Sequence, residues 1–179
     1  SPVYMNSTTE RRDLLSTSSG PRVSTPSSTL AIGPTSIWCS GADKAATTAW
    51  LAGEPFFQNG LFSSQYIYGW DHLKGDRESK ENLTLYFHLD ALSAPDKRAS
   101  LREQHVDYLT IYRDHLFAVG PLYKDSDKTE FEDRIGSMFI VDFPDRPRAD
   151  EWRAQEPYTR NDVYDHCWGY AYENLWRGV

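Results

Sequence analysis

An α+β fold with the element order βαββαβ, written once in full and once in part, is what this sequence predicts. Two observations carry the prediction: a self-similarity at a constant offset of 102 residues, and a C-terminal half in which strand-like and helix-like periodicities follow one another in that order. A third permits it. At 179 residues the chain can bury an ordinary core, as one large unit or two small ones, with no disulfide staples.

The offset is the difference between Trp152 and Trp50, and it aligns residues 35–73 with 137–175 without a gap. Asp43, Trp50, Ala52, Glu54, Pro55, Asn59, Tyr68 and Leu73 fall on Asp145, Trp152, Ala154, Glu156, Pro157, Asn161, Tyr170 and Leu175. Between them stand conservative pairs such as Phe56 with Tyr158 and Tyr66 with Trp168, so the shared phrase is W-x-A-x-E-P-[FY]-x-x-N. Gly20-Pro21 matches Gly120-Pro121 at an offset of 100, which asks only for a two-residue difference in loop length.

The C-terminal copy supplies every element. Residues 83–89, L-T-L-Y-F-H-L, suit a strand. Ser93 offers an N-cap with Pro95 in the first turn and Asp96 at the capping-box position, so a helix should follow. Leu101, His105, Tyr108, Leu109 and Tyr112 then recur at the spacing of one helical face. Residues 115–122 read as a second strand ending in Gly120-Pro121, and the charged stretch 123–133 as a solvated loop. Residues 137–143 form an apolar third strand, Pro144 and Pro147 mark the turn into a short helix carrying Trp152, and Pro157 should break that helix at Glu156. A last strand spans 163–172. This βαββαβ order is the split arrangement of a ferredoxin-like unit.

The N-terminal copy shows only a third strand (36–40), a second helix (42–51) and a fourth strand (61–70). Residues 10–15 suit the end of a first helix, but no first strand is recognisable, and the Ser/Thr-rich stretch 7–36 is expected to be partly mobile. The expected organisation is an incomplete copy at 1–75, a linker at 76–82 within a charged segment, and a complete copy at 83–179. A sheet lacking one strand exposes an edge that a second chain can cover, which leads to the expectation of a homodimer.

Composition excludes several functions. A net charge of −7, with a pI near 5.2, speaks against nucleic acid as a partner, because phosphate contacts need clustered Lys and Arg. Cys39 and Cys167 stand in no C-x-x-C pair and at no zinc-like spacing, so no structural metal is expected. No apolar run reaches the roughly 18 residues of a membrane span and no secretory signal opens the chain, so a soluble, cytoplasmic protein is expected. The Asn-x-Ser/Thr triplets at Asn6 and Asn82 are accordingly expected to be unmodified. Starting at Ser1 suits a processed, trimmed or tagged product. With no glycine-rich phosphate loop and no Walker motif, no cofactor is implied.

Residues 83–178 resemble the YCII-related family through three features in the same order. These are the helix motif Arg102-Glu-Gln-His105, the strand ending Gly120-Pro121-Leu122, and Trp152 followed by Glu156-Pro157-Tyr158. The family carries Arg-x-x-His on its first helix and Asp-Pro-Tyr near its end; here the aspartate is glutamate in both copies. The resemblance implies small α+β proteins pairing into dimeric barrels, acid-base chemistry such as dehydrochlorination of oxidised aromatic compounds, and a His-carboxylate pair falling on His105 and Glu156.

Read from the residues alone, His105 lies on the apolar helix face, where a carboxylate can orient it for proton transfer near neutral pH. The alternative is a core histidine satisfied by backbone groups. Arg102 would anchor a phenolate or carboxylate, and Tyr108 and Tyr158 are placed to line a pocket for a small molecule. Glu54 and Glu156 both precede a proline that opens a helical turn, so each can cap that turn. The position matching His105 falls near Tyr4 or Met5, where no histidine stands, so that copy is expected to be catalytically silent. His166, Cys39 and Cys167 have no orienting partner. Two functions fit: a cofactor-independent lyase or isomerase acting through His105 and Glu156, or a non-catalytic ligand-binding or assembly module.

Overall fold

Alternation along three strands sets the two faces of the sheet. On β4 (Leu83–Asp90), Leu83, Leu85 and Phe87 point one way while Tyr86 and His88 point the other. On β6 (Arg134–Asp142), Met138 and Ile140 join the first set and Phe139 and Val141 the second. On β5 (Leu116–Tyr123) a register shift between Leu116 and Ala118 changes the parity, so Leu116 faces the second set while Phe117 and Ala118 both join the first.

The computed structural model describes residues 3–5, 39–40, 44–60, 66–71, 82–124 and 130–173. The C-terminal part runs β4, α3 (Ala94–Ser100), α4 (Arg102–Ile111), β5, β6, α5 (Arg146–Gln155), α6 (Pro157–Arg160) and β7 (Tyr164–Ala171). Its strands lie in the order β5-β6-β4-β7, all antiparallel, so that second, third, first and fourth follow one another across the sheet. This is the ferredoxin-like α+β arrangement. The helices cover the face bearing Tyr86, Val119 and Phe139, packing Leu109, Ala149, Trp152 and Tyr158 onto it.

The N-terminal part adds β1 (Val3–Met5), β2 (Cys39–Ser40), α1 (Lys44–Ala52), α2 (Pro55–Gln58) and β3 (Tyr68–Trp70). Its strands extend the same sheet in the order β2-β1-β3, with β3 antiparallel to β5. Trp70, 1% exposed, buries itself in the apolar cluster on the face opposite the helices. No helix among the described residues is long and apolar enough to cross a membrane.

Three features differ from the sequence expectations. The single first helix is divided: Leu101 separates α3 from α4, and Ser93 precedes α3 without a side-chain cap bond. β6 begins at Arg134, three residues earlier than the apolar run suggested, because pairing with β5 extends to Tyr123 opposite Arg134. Most consequentially, the N-terminal part does have a strand in the place thought empty: β1 lies between β2 and β3 and pairs with both. Three residues, with no alternation long enough to read, carry no strand signal of their own. The helix expected at 10–15, Gly20-Pro21, the Ser/Thr-rich segment and most of the linker lie outside the described residues.

Candidate active site

A helix stop places the first residue of the site. Pro157 holds Glu156 in extended backbone (φ −61°, ψ 130°), so α5 ends and the Glu156 side chain turns back to cap α6. Its Oε2 accepts from the Thr159 amide at 3.0 Å and the Thr159 hydroxyl at 3.2 Å, and its Oε1 from the Tyr158 amide at 3.1 Å. The residue is 1% exposed, and a carboxylate is tolerated there because protein donors replace its lost water.

The fourth bond comes from another element. His105, one turn into α4, brings Nδ1 to 2.6 Å from Glu156 Oε1. Since both carboxylate oxygens already act as acceptors, the hydrogen in that bond belongs to the imidazole. Nδ1–H is therefore the donor, and whenever the ring is neutral Nε2 carries the lone pair. Among the described residues Nε2 has no protein partner, and it is not sealed from solvent.

Tyr158 and Arg98 fix the plane of that ring. The imidazole stacks on Tyr158 with centroids 4.0 Å apart and 11° between planes. The Tyr158 hydroxyl donates to the Arg98 carbonyl at 3.1 Å, and burial pushes its phenol above the ordinary value, which keeps it a donor. The Arg98 guanidinium lies 4.7 Å from the Tyr158 ring centroid. It donates twice to Asp90, at 2.8 and 2.5 Å, and reaches Ser137 Oγ at 3.3 Å. The ring that orients His105 is thus held by a buried, bidentate ion pair.

Beside His105 opens a cavity of about 80 Å³. Val106, Leu109, Val119 and Phe139 form its apolar wall, while Arg98, Arg102, Arg134 and Ser137 form its polar one. Gly120 and Pro121 complete it. A side chain at Gly120 would run into the Asp71 carbonyl oxygen, so the absence of Cβ there lets the end of the N-terminal part pass directly behind the cavity.

Of the residues singled out from sequence, His105 and Glu156 are bonded to each other, and Arg102, Gly120, Pro121 and Tyr158 stand on the cavity wall. Tyr108 does not line it. Its hydroxyl donates to the Trp152 carbonyl at 2.8 Å and its ring packs beside Tyr112, so the residue serves the core. Glu54 caps α2, accepting from the Phe57 amide at 2.9 Å. His166 and Cys167 are exposed on β7. Arg98, Arg134 and Ser137 were not anticipated. Arg98 had a readable signal, because Arg98, Arg102, His105 and Leu109 are spaced 4, 3 and 4 apart; Arg134 and Ser137 reach the cavity only through sheet pairing. The described residues contain no group of three or more His, Cys, Asp or Glu able to hold a metal ion.

Comparison with known proteins gives one family. The model of the YCII-related domain matches residues 80–167. Among solved structures, 5-chloro-2-hydroxyhydroquinone dehydrochlorinase from Burkholderia phenoliruptrix AC1100, in complex with 2,5-dihydroxybenzoquinone, superposes with a TM-score of 0.49 and 17% identity over 51% of this chain and 94% of its own. No curated protein sequence matches the chain.

Proposed function

From the premise that residues 80–167 are a YCII-related domain, we propose that this protein is a cofactor-independent acid-base catalyst, a lyase or isomerase acting on a small aromatic or otherwise enolisable molecule. The observation that carries the proposal is the 2.6 Å bond between His105 Nδ1 and Glu156, which leaves Nε2 as a lone-pair base on the wall of a cavity.

The chemistry follows from the atoms present. Nε2 takes a proton from an acidic carbon or hydroxyl of the substrate, and the electron pair of the broken bond moves onto a conjugated oxygen, giving an enolate or phenolate. The imidazolium, held by the Glu156 carboxylate, then returns the proton to another carbon, which is isomerisation, or the enolate collapses and expels a leaving group, which is elimination. Glu156 takes no proton. It fixes the tautomer and stabilises the charged ring, as a buried carboxylate does for a catalytic histidine.

The test is a screen of small phenols, quinols and lactones followed by His105→Ala. Turnover should fall by about 10²- to 10⁴-fold, the usual contribution of a positioned acid-base group. Full activity in that variant removes the acid-base reading and leaves a ligand-binding module.

A further inference from the structure

Arg102 and Arg134 stand where two hollows meet. Besides the inner cavity, they line an open outer hollow of about 550 Å³ together with Ala99, Glu130 and Phe131. The Phe131 ring is shared between them, with the Arg134 Cζ 4.5 Å and the Arg102 Cζ 6.0 Å from its centroid. Arg98, the third guanidinium of the inner wall, is neutralised by Asp90. Among the described residues Arg102 and Arg134 have no ion pair; Arg134 makes one long bond of 3.4 Å to the Tyr123 hydroxyl. Two arginines side by side with no ion pair among the described residues are unexpected in a chain of net charge −7. The inner cavity, at about 80 Å³, holds only the reacting end of a substrate, so the remainder has to leave past these two side chains.

We infer that the substrate is an organic acid, its reacting end against His105 and its carboxylate clamped between Arg102 and Arg134 at the mouth, with Arg134 and Phe131 setting this specificity. The inference rests on the acid-base reading for the location of the reacting end, while the clamp is tested by binding alone. Calorimetric titration compares 2,5-dihydroxybenzoate with 1,4-dihydroxybenzene, a matched pair differing in the carboxylate. The acid should bind at least about tenfold tighter, the equivalent of one charge-assisted contact, and the advantage should shrink with added salt. Arg134→Met, which keeps the apolar stem, should remove most of it, and His105→Ala should preserve it. Failure of the acid to bind, or an advantage that survives Arg134→Met, overturns the clamp. An inactive clamp with intact catalysis, or the reverse, separates this inference from the acid-base reading.

A different observation, in the backbone, bears on the N-terminal part. Shifting by 102 residues carries the first residue of α1, Lys44, onto that of α5, Arg146, and all of α2 onto α6. In both, a glutamate caps the short helix by accepting the amide three residues on, at 2.9 Å for Glu54 and 3.0 Å for Glu156. In both, the next asparagine donates to the opening proline carbonyl at 2.7 Å, Asn59 to Pro55 and Asn161 to Pro157. The one described non-glycine residue with positive φ, Asp162 (53°), corresponds to Gly60 (67°). Strand register agrees as well. Tyr4 stands opposite Cys39 and Gly69, and Thr84 stands opposite Val141 and Ala171, again 102 apart. The order β2-β1-β3 then repeats β6-β4-β7.

The register points to a chain that contains its own second subunit, and we propose that the N-terminal part is a diverged copy of the C-terminal domain, joined edge to edge through β3 and β5. With β1 filling the place of the missing strand, the ground for expecting a homodimer disappears, and one chain suffices. Residues 1–71 contain no histidine, so the chain carries one site. Two measurements test this on the full chain. Light scattering should give the single-chain mass of 20.6 kDa across concentration, and a dimer overturns self-sufficiency. In a Cys167→Ser background, Tyr4→Cys should oxidise to an intrachain disulfide with Cys39, its directly opposite neighbour, whereas Met5→Cys should not. No bond from Tyr4→Cys, or equal bonding from both, overturns the register.

Discussion

His105 and His88 both pack against Phe139, yet their surroundings make the same side chain behave differently. His105 has a carboxylate on one nitrogen and a cavity beside it. Replacing its partner tests that arrangement: Glu156→Gln should lower turnover, because an amide cannot stabilise an imidazolium, and should also cost about 1 kcal/mol of stability through the α6 cap. Retained turnover at reduced stability would assign Glu156 to capping alone. His88 is fully buried between Tyr164 and Phe139, and neither ring nitrogen has a hydrogen-bond partner among the described residues. Burial, reinforced by Arg153 and Arg98, lowers its pKa to about 3. The folded state therefore resists a proton that the unfolded chain takes up near pH 6.5. Stability is fully present above about 6.5 and is lost as pH falls toward 3, by on the order of 5 kcal/mol in total. Denaturant titrations of wild type and His88→Leu at pH 7, 5 and 4 should show the steeper acid loss in wild type; parallel losses would exclude His88 as the cause.

Two short helices of like geometry do different work. Both α2 and α6 are opened by proline and capped by glutamate, but among the described residues only α6 faces a histidine. Glu54→Gln should therefore lower stability by roughly 0.5–2 kcal/mol, as loss of an N-cap does, and leave turnover within about twofold. Comparable catalytic losses for Glu54→Gln and Glu156→Gln at matched stability would dispose of a single C-terminal site. Strand β5 supplies a second element-level test. Gly120 admits no side chain because the Asp71 backbone crosses it, so Gly120→Ala should push that backbone away and weaken both the β3–β5 joint and the cavity wall, measurable as a lowered Tm. An unchanged Tm would show that the crossing yields easily. The break between α3 and α4 belongs to the same scale: it was invisible in a sequence whose apolar spacing runs on through Leu101, because periodicity reports which side faces inward and says nothing of a local turn.

Across the whole molecule the sheet joins the two parts, and Trp70 is the side chain that commits one to the other. It is buried in the cluster formed by Leu85, Phe87, Met138 and Ile140, none of which belongs to its own segment. Trp70→Ala should cost about 3–5 kcal/mol, a full core truncation, in a single cooperative denaturant transition. Two separated transitions would mean that the parts fold independently. The sequence by itself determined the order of the C-terminal elements, the stop at Glu156-Pro157 and the pairing of interest between His105 and Glu156. Each rests on local signals, namely strand alternation, helical spacing and the restriction proline places on its neighbour, or on family likeness in a short motif. Tertiary structure alone decided the remainder: the distance between two side chains 51 positions apart, the removal of Tyr108 from the cavity wall, the arrival of Arg134 and Ser137 upon it, and the strand at Val3–Met5. Those depend on which strands pair and in what register, a long-range choice made by burying both faces of the sheet at once, and no stretch of sequence a few residues long encodes it.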